Sequence, residues 1–250
     1  MNKSMCSPPP CRADERSHAQ IPLGPWLRRL LVAIPIARLG ADPEGAHQLR
    51  RALAHLQAWL ALADRRALRE EVRWLRTRAS KVRDLDVRLT QDPPPAVARR
   101  WQRRRVGAHQ RLLDALDDPR TAALLATLAT LPPLAREGTR DAVARLAART
   151  LERGARAMRK PTIKRLHALR RSVRRLRYAL EWTGRPTGQM ARLQDTLGRL
   201  CDHAFTLRVV QTKCRRVRDW KQEMEHELRR EARRARGLWK KVRSTLEDRA

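Results

Sequence analysis

Apolar positions recur every three or four residues along this chain from about residue 24 to residue 247. That is the period of an amphipathic helix. Ala, Leu, Arg and Glu dominate and β-branched runs are absent, so local preference agrees with the period. Proline and glycine supply the breaks, at Gly40 to Pro43, Asp92 to Pro95, Asp117 to Pro119, Leu131 to Pro133, Pro161, and Gly184 to Gly188. The pattern predicts eight principal helices, at 24–39, 43–63, 66–90, 95–117, 133–157, 162–183, 188–212 and 215–247. A short helix at 119–130 joins the two halves. Residues 1–20 are Pro-rich, polar and aperiodic, and read as a disordered tail.

The halves resemble each other. His47 is followed by Arg50 and Arg51, and 120 residues later His167 is followed by Arg170 and Arg171. Asp84, in Arg83-Asp84-Leu85, stands 118 residues before Asp202, in Leu200-Cys201-Asp202. Each half carries a His-x-x-Arg helix and then a helix with an internal Asp. A duplication of this kind predicts an all-α fold of two four-helix bundles related by a pseudo-two-fold axis. The first bundle spans about 21–118 and the second about 132–248.

The segment Lys164 to Trp182 carries the most chemistry. At about 100° per residue, Leu166, Leu169, Val173, Leu176 and Leu180 share one stripe, the buried face. His167, Arg170, Arg174 and Arg177 form a second stripe beside it, and Arg171, Arg175 and Tyr178 extend the cationic side. A solvated basic face would sit opposite the apolar stripe. These cations border it, which places them along a groove between helices. Their mutual repulsion calls for anions, and the planar fork of Arg matches phosphate oxygens. His167 and His47 suit either a structural hydrogen bond or direct phosphate contact, with Asp202 or Asp84 as orienting carboxylates.

Charge widens the case. The 250 residues hold 57 Lys and Arg against 26 Asp and Glu, a net charge of +31. A polyanion partner follows, and nucleic acid, polyphosphate and an anionic membrane all fit charge alone. The aromatics are few, and the tryptophans (Trp26, Trp59, Trp74, Trp101, Trp182, Trp220, Trp239) fall about one per helix. Packing suits them better than base stacking, which favours an anion without bases. Cys6, Cys11, Cys201 and Cys214 fit neither a disulfide framework nor, with His203, a zinc pattern. No apolar run is long enough to cross a bilayer, and the N-terminus has no secretory h-region, so a cytoplasmic protein is expected. Walker and HExxH motifs are absent, so neither enzyme activity, metal nor cofactor is expected. Glu223, Glu225 and Glu227 alternate on a helix and read as a solvated acidic patch.

Taken in order, these residues resemble the CHAD family, the conserved histidine α-helical domain. The resemblance rests on His167-x-x-Arg170, on Arg174-Arg175-Leu176-Arg177-Tyr178-Ala179-Leu180-Glu181, and on Leu193-Gln194-Asp195-x-Leu197-Gly198 followed by Asp202. In the first half it rests on His47 to Arg50 and on Arg83-Asp84-Leu85-Asp86-Val87. It implies two bundles with a basic groove between them, binding of inorganic polyphosphate and association with polyphosphate granules. The basic positions it implies are His47, Arg50, His167, Arg170, Arg174, Arg175 and Arg177. Arg51, Lys164 and Arg171 flank them. Asp84, Asp202 and Tyr178 support them. Two departures stand out. Ala54, His55 and Gln57 replace basic residues in the first half, where only His55 can gain charge, and Cys201 replaces an Asn. Arg78, Lys81 and Arg88 are expected to supply the missing cations. The alternative is an RNA- or DNA-binding helical protein that uses the same groove.

Overall fold

The structure, a computed structural model, describes residues 20–209 and 215–247. The expected tail over 1–19, with Cys6 and Cys11, lies outside the described residues, as do Cys214 and the side chain of Trp220. Among the described residues the chain forms nine α-helices. They are α1 (Gly24–Leu39), α2 (Pro43–Leu62), α3 (Arg66–Leu89), α4 (Pro95–Asp117), α5 (Pro119–Ala129), α6 (Arg140–Arg159), α7 (Ile163–Trp182), α8 (Gly188–Val209) and α9 (Arg215–Glu247). The breaks read from the sequence become caps. The Asp42 and Asp118 carboxylates accept from the backbone N–H groups of Glu44 and Arg120, with a proline at the first helical position of α2 and α5. Gly40 ends α1 at φ 67°, a left-handed backbone that glycine adopts without strain.

Successive helices pack in the order α1 on α2, α2 on α3 and α3 on α4, and α6 to α9 repeat that order. Each set encloses its own core. The first is centred on Leu30, Leu53, Trp59, Leu75, Trp101 and Leu112. The second is centred on Leu169, Val173, Leu176, Leu193, Leu197 and Trp239. Helix α5 was expected as a bridge, yet its Leu124 and Leu128 bury in the first core. The sixth helix was expected from 133 and starts at Arg140. Leu134–Ala135 forms instead a short antiparallel pairing, β2, with Gln20–Ile21, β1. A 3-10 turn, Glu137–Thr139, follows it. Gln20 therefore belongs to the fold and not to the tail.

The two sets meet where α2 crosses α7. Ala54 and Ala58 pack there on Tyr178 and Trp182. The His55 ring stacks on Trp26 with centroids 3.4 Å apart and lies 3.8 Å from the Tyr178 ring. Trp182 Nε1 donates to the His55 carbonyl at 3.0 Å. The imidazole is 1% exposed. Burial first, then the nearby Arg177, Arg51 and Arg29, hold its pKa down at about 2. His55, the one residue of Ala54, His55 and Gln57 able to gain charge, is therefore neutral, and its 3.6 Å approach to Glu181 is not an ion pair.

His55 should make the fold acid-sensitive. Its folded value lies below the ordinary imidazole value of 6.5, so the unfolded chain takes up the proton first as pH falls. Stability contributed by this group is full above that value and drops by about 1.4 kcal/mol per pH unit below it. Replacing His55→Phe keeps a flat ring in the stack and removes the titration. The variant should unfold at lower pH than the parent in an acid titration followed by circular dichroism. An unchanged acid midpoint would mean that His55 does not govern it.

Candidate functional site

Beside the α2–α7 crossing lie three cavities in series, each sharing lining residues with the next, which together form a groove. The first, about 430 Å³, is lined by His47, Arg50, Arg51 and Ala54 of α2, Arg83 and Val87 of α3, Arg170, Arg174, Arg177 and Tyr178 of α7, and Gln194 to Asp202 of α8. The second, about 350 Å³, shares Ala54, Arg174 and Tyr178 with it and adds Arg69, Arg73, Arg76, Arg149 and Arg175. The third, about 640 Å³, continues past Arg66, Arg69, Arg145 and Arg149. Seven arginines and His47 face only two carboxylates, Asp195 and Asp202, in the first cavity. On α2 the lining runs from His47 to Leu62, roughly 22 Å of helix.

Local sequence explains the convergence. On α7, Leu166, Leu169, Val173, Leu176 and Leu180 are buried, as the periodicity requires. The neighbouring stripe of Arg170, Arg174 and Arg177 is thereby turned along the crossing with α2. Ala54 on α2 leaves room for Arg174, which lines both of the first two cavities. Gly198 does the same for Arg170: a Cβ there would stand 3.2 Å from its Nη2. Arg170 reaches Asp202 at 3.5 Å. Arg177 pairs with Glu181 at 3.3 Å, one helical turn on.

The centre of the groove is electrostatically strained. Arg174 is pushed down to about 9 by burial and by Arg76 and Arg50, and so remains cationic at neutral pH. Burial lowers Arg50, with Arg170 adding to it, and lowers Arg76, with Arg50 and Arg175 adding. The buried Nε atoms of Arg50 and Arg76 have no hydrogen-bond partner. Burial also lowers His47 and His167, helped by Arg50 and Arg83 at the first and by Arg171, Arg170 and Arg174 at the second. Asp202 is pushed the other way, mainly by burial, while Arg170 opposes the rise.

The expected residues divide into three groups. His47, Arg50, Arg51, Arg170, Arg174, Arg177, Tyr178 and Asp202 line the first cavity, and Arg175 lines the second. His167, Arg171 and Asp84 are exposed beside this cluster. Arg78, Lys81, Arg88 and Lys164 do not line the groove. Arg78 lies over the Trp74 ring, 5.9 Å from its centroid, while Lys81 and Lys164 are exposed. Arg88 stacks 4.1 Å over Phe205 of α8; burial lowers its pKa, and Asp84 and Asp202 only partly oppose that. The missing first-half cations come instead from Arg69, Arg73, Arg76 and Arg83. The reason is helical phase: at about 100° per residue, Arg78 points some 200° from Arg76. The signal was available, because the Arg69-Arg73-Arg76-Arg83 stripe borders the buried stripe of Val72, Leu75, Ala79 and Val82. Cys201 is buried, and burial pushes its thiol up to about 11, so it stays protonated.

Comparison with known proteins agrees with this architecture. The family model of the CHAD domain matches residues 23–211. The crystal structure of the CHAD domain from the plant Ricinus communis is 24% identical, with a TM-score of 0.70 over 92% of this chain and 93% of that one. The structure of PptA from Streptomyces chartreusis is 18% identical, with a TM-score of 0.68 over 87% of this chain and 96% of that one. Among curated proteins no sequence matches.

A half-buried cation among cations destabilises the empty fold. Replacing Arg174→Met should therefore raise the thermal midpoint of the ligand-free protein, by about 1–2 kcal/mol of stability. Differential scanning calorimetry checks this. A lowered midpoint would show that Arg174 is already compensated from within.

Proposed function

The chain belongs to the CHAD domain family, and from that premise we propose that its arginine groove binds inorganic polyphosphate. One observation carries the reading. Arg50, Arg76 and Arg174 meet at the α2–α7 crossing, and among the described residues none of the three forms an ion pair. A chain of phosphates supplies what they lack: closely spaced charge with several acceptor oxygens per unit and no sequence to read. Arg forks grip such oxygens by charge-assisted hydrogen bonds, and Tyr178 lines the same narrowing. Bound anion also favours the charged forms of His47 and His167, so binding takes up protons. Asp202 serves to hold Arg170 in place. Association with polyphosphate granules follows if many such grooves engage long chains at once.

The aromatic content of the site favours this ligand over RNA or DNA. The Tyr178 ring is covered by His55, and Arg177 lies 4.8 Å from its centroid. Trp26 is stacked by His55 and has Arg29 at 4.4 Å. Among the described residues Tyr178 is the one Phe, Tyr or Trp that lines the groove, and at 6% exposure it offers little surface to a base.

The decisive variant replaces Arg170, Arg174 and Arg177 together by Ala. Each lost guanidinium should cost about 1–2 kcal/mol, so affinity for long-chain polyphosphate should fall roughly a hundredfold or more while circular dichroism stays unchanged. Long polyphosphate should also displace RNA at equal phosphate concentration. Unchanged affinity in the variant, or RNA winning the competition, would contradict the assignment.

A further inference from the structure

The second bundle contains a cavity of opposite character. It lies between α6 and α9 over a floor of α7, measures about 580 Å³, and is walled by Val143, Ala147, Leu151, Leu176, Met190 and Leu246. Its polar lining is gathered at one end of the bundle. Arg140 opens α6, Arg185 and Thr187 lie in the loop after α7, Gln189 starts α8 and Thr245 ends α9. Neither Arg140 nor Arg185 forms an ion pair among the described residues, and both are exposed.

The packing explains the opening. Helices α6 and α9 touch closely at Gly154, where a Cβ would fall 1.8 Å from the Trp239 ring. Beyond that contact, toward the start of α6, the cavity separates them. In the first bundle α1 and α4 are clamped: Arg38 pairs with Asp117 at 2.7 Å and His109 meets the Ala37 carbonyl at 2.9 Å. There α5 adds Leu124 and Leu128 as filling. No helix of the described chain does so between α6 and α9.

We propose that this cleft binds a single-chain amphiphile with an anionic head, such as a medium-chain carboxylate. The apolar wall takes the hydrocarbon, gaining the usual benefit of area removed from water. Arg140 and Arg185 take the head, with the Gln189 amide N–H offering a hydrogen bond; the Thr187 and Thr245 hydroxyls donate to Glu181 and to the Gln189 amide oxygen. The volume lies in the range of small-molecule sites, about 300–1,000 Å³, and the lining has their mix of apolar wall and few convergent polar groups. The site is separate from the arginine groove. Helix α6 turns Ala142, Arg145 and Arg149 to that groove and Val143, Ala147 and Leu151 to the cleft, on opposite faces. The inference therefore does not rest on the polyphosphate reading.

Titration calorimetry of the full chain with dodecanoate, below its micelle concentration, tests it. The expected result is saturable binding of one ligand per chain. Ala147→Phe and, independently, the exposed Ala148→Phe should abolish it, with thermal unfolding confirming that each variant folds. A double variant, Arg140→Glu with Arg185→Glu, should weaken it by at least about tenfold, and dodecanol should bind less tightly than dodecanoate. Absence of saturable binding, or equal binding by the filled variants, would overturn the proposal. So would binding seen only after removal of residues 1–19, which would make that segment the occupant. Binding that appears only when a dimer dissociates would overturn it too, assigning the cleft to a second copy.

Discussion

Guanidinium groups crowded together and half withdrawn from water set the terms for this molecule. Arg50, Arg76 and Arg174 converge from three helices, and each is disfavoured first by burial and then by another arginine. Such a cluster persists only because the surrounding fold over-determines it. Two leucine-rich cores, one in each set of helices, supply that determination. On the proposed reading an entering anion relieves the repulsion stored at the crossing, so the site's instability and its affinity are two aspects of one arrangement.

The crossing is built to keep the arginines apart from their natural partners within the chain. Asp86 is buried and taken by Arg105, and Glu231 is buried and taken by Arg199. Glu181 is turned to Arg177 and Asp202 to Arg170, at the edges of the cluster and not at its centre. Small residues do the spacing, Ala54 toward Arg174 and Gly198 toward Arg170. The aromatic stack of Trp26, His55 and Tyr178 stiffens the same joint, which costs His55 its charge. The α2 wall carries His47, Arg50 and Arg51 at one end and is partly alanine beyond them, where α3 and α7 carry the cations.

Much of this was legible from periodicity. Helix ends at Leu39 and Asp117 fall where proline and glycine place them. The α7 stripe pointed to its groove because its cations border the buried leucines. The start of α6 was not legible, since Leu134 and Ala135 are ordinary helix formers. They are drawn into strand pairing only by Gln20 and Ile21, more than a hundred residues away. Arg78 and Lys81 carry charge but lie out of phase with the groove. Arg76 borders the buried stripe of α3 just as the groove arginines border that of α7. The neutrality of His55 was invisible because it depends on Trp26 and Tyr178 closing over both faces of the ring.

The dependence of polyphosphate affinity on salt tests the central claim most directly. If the groove arginines engage phosphates together, log K should fall linearly with log salt concentration, and each groove arginine removed should reduce the slope by about one. Removing an exposed arginine of α9, such as Arg233, should leave the slope unchanged. Equal slopes for the groove and α9 variants would mean that the anion reads only the overall charge of the surface, and the buried cluster would then have no part in binding.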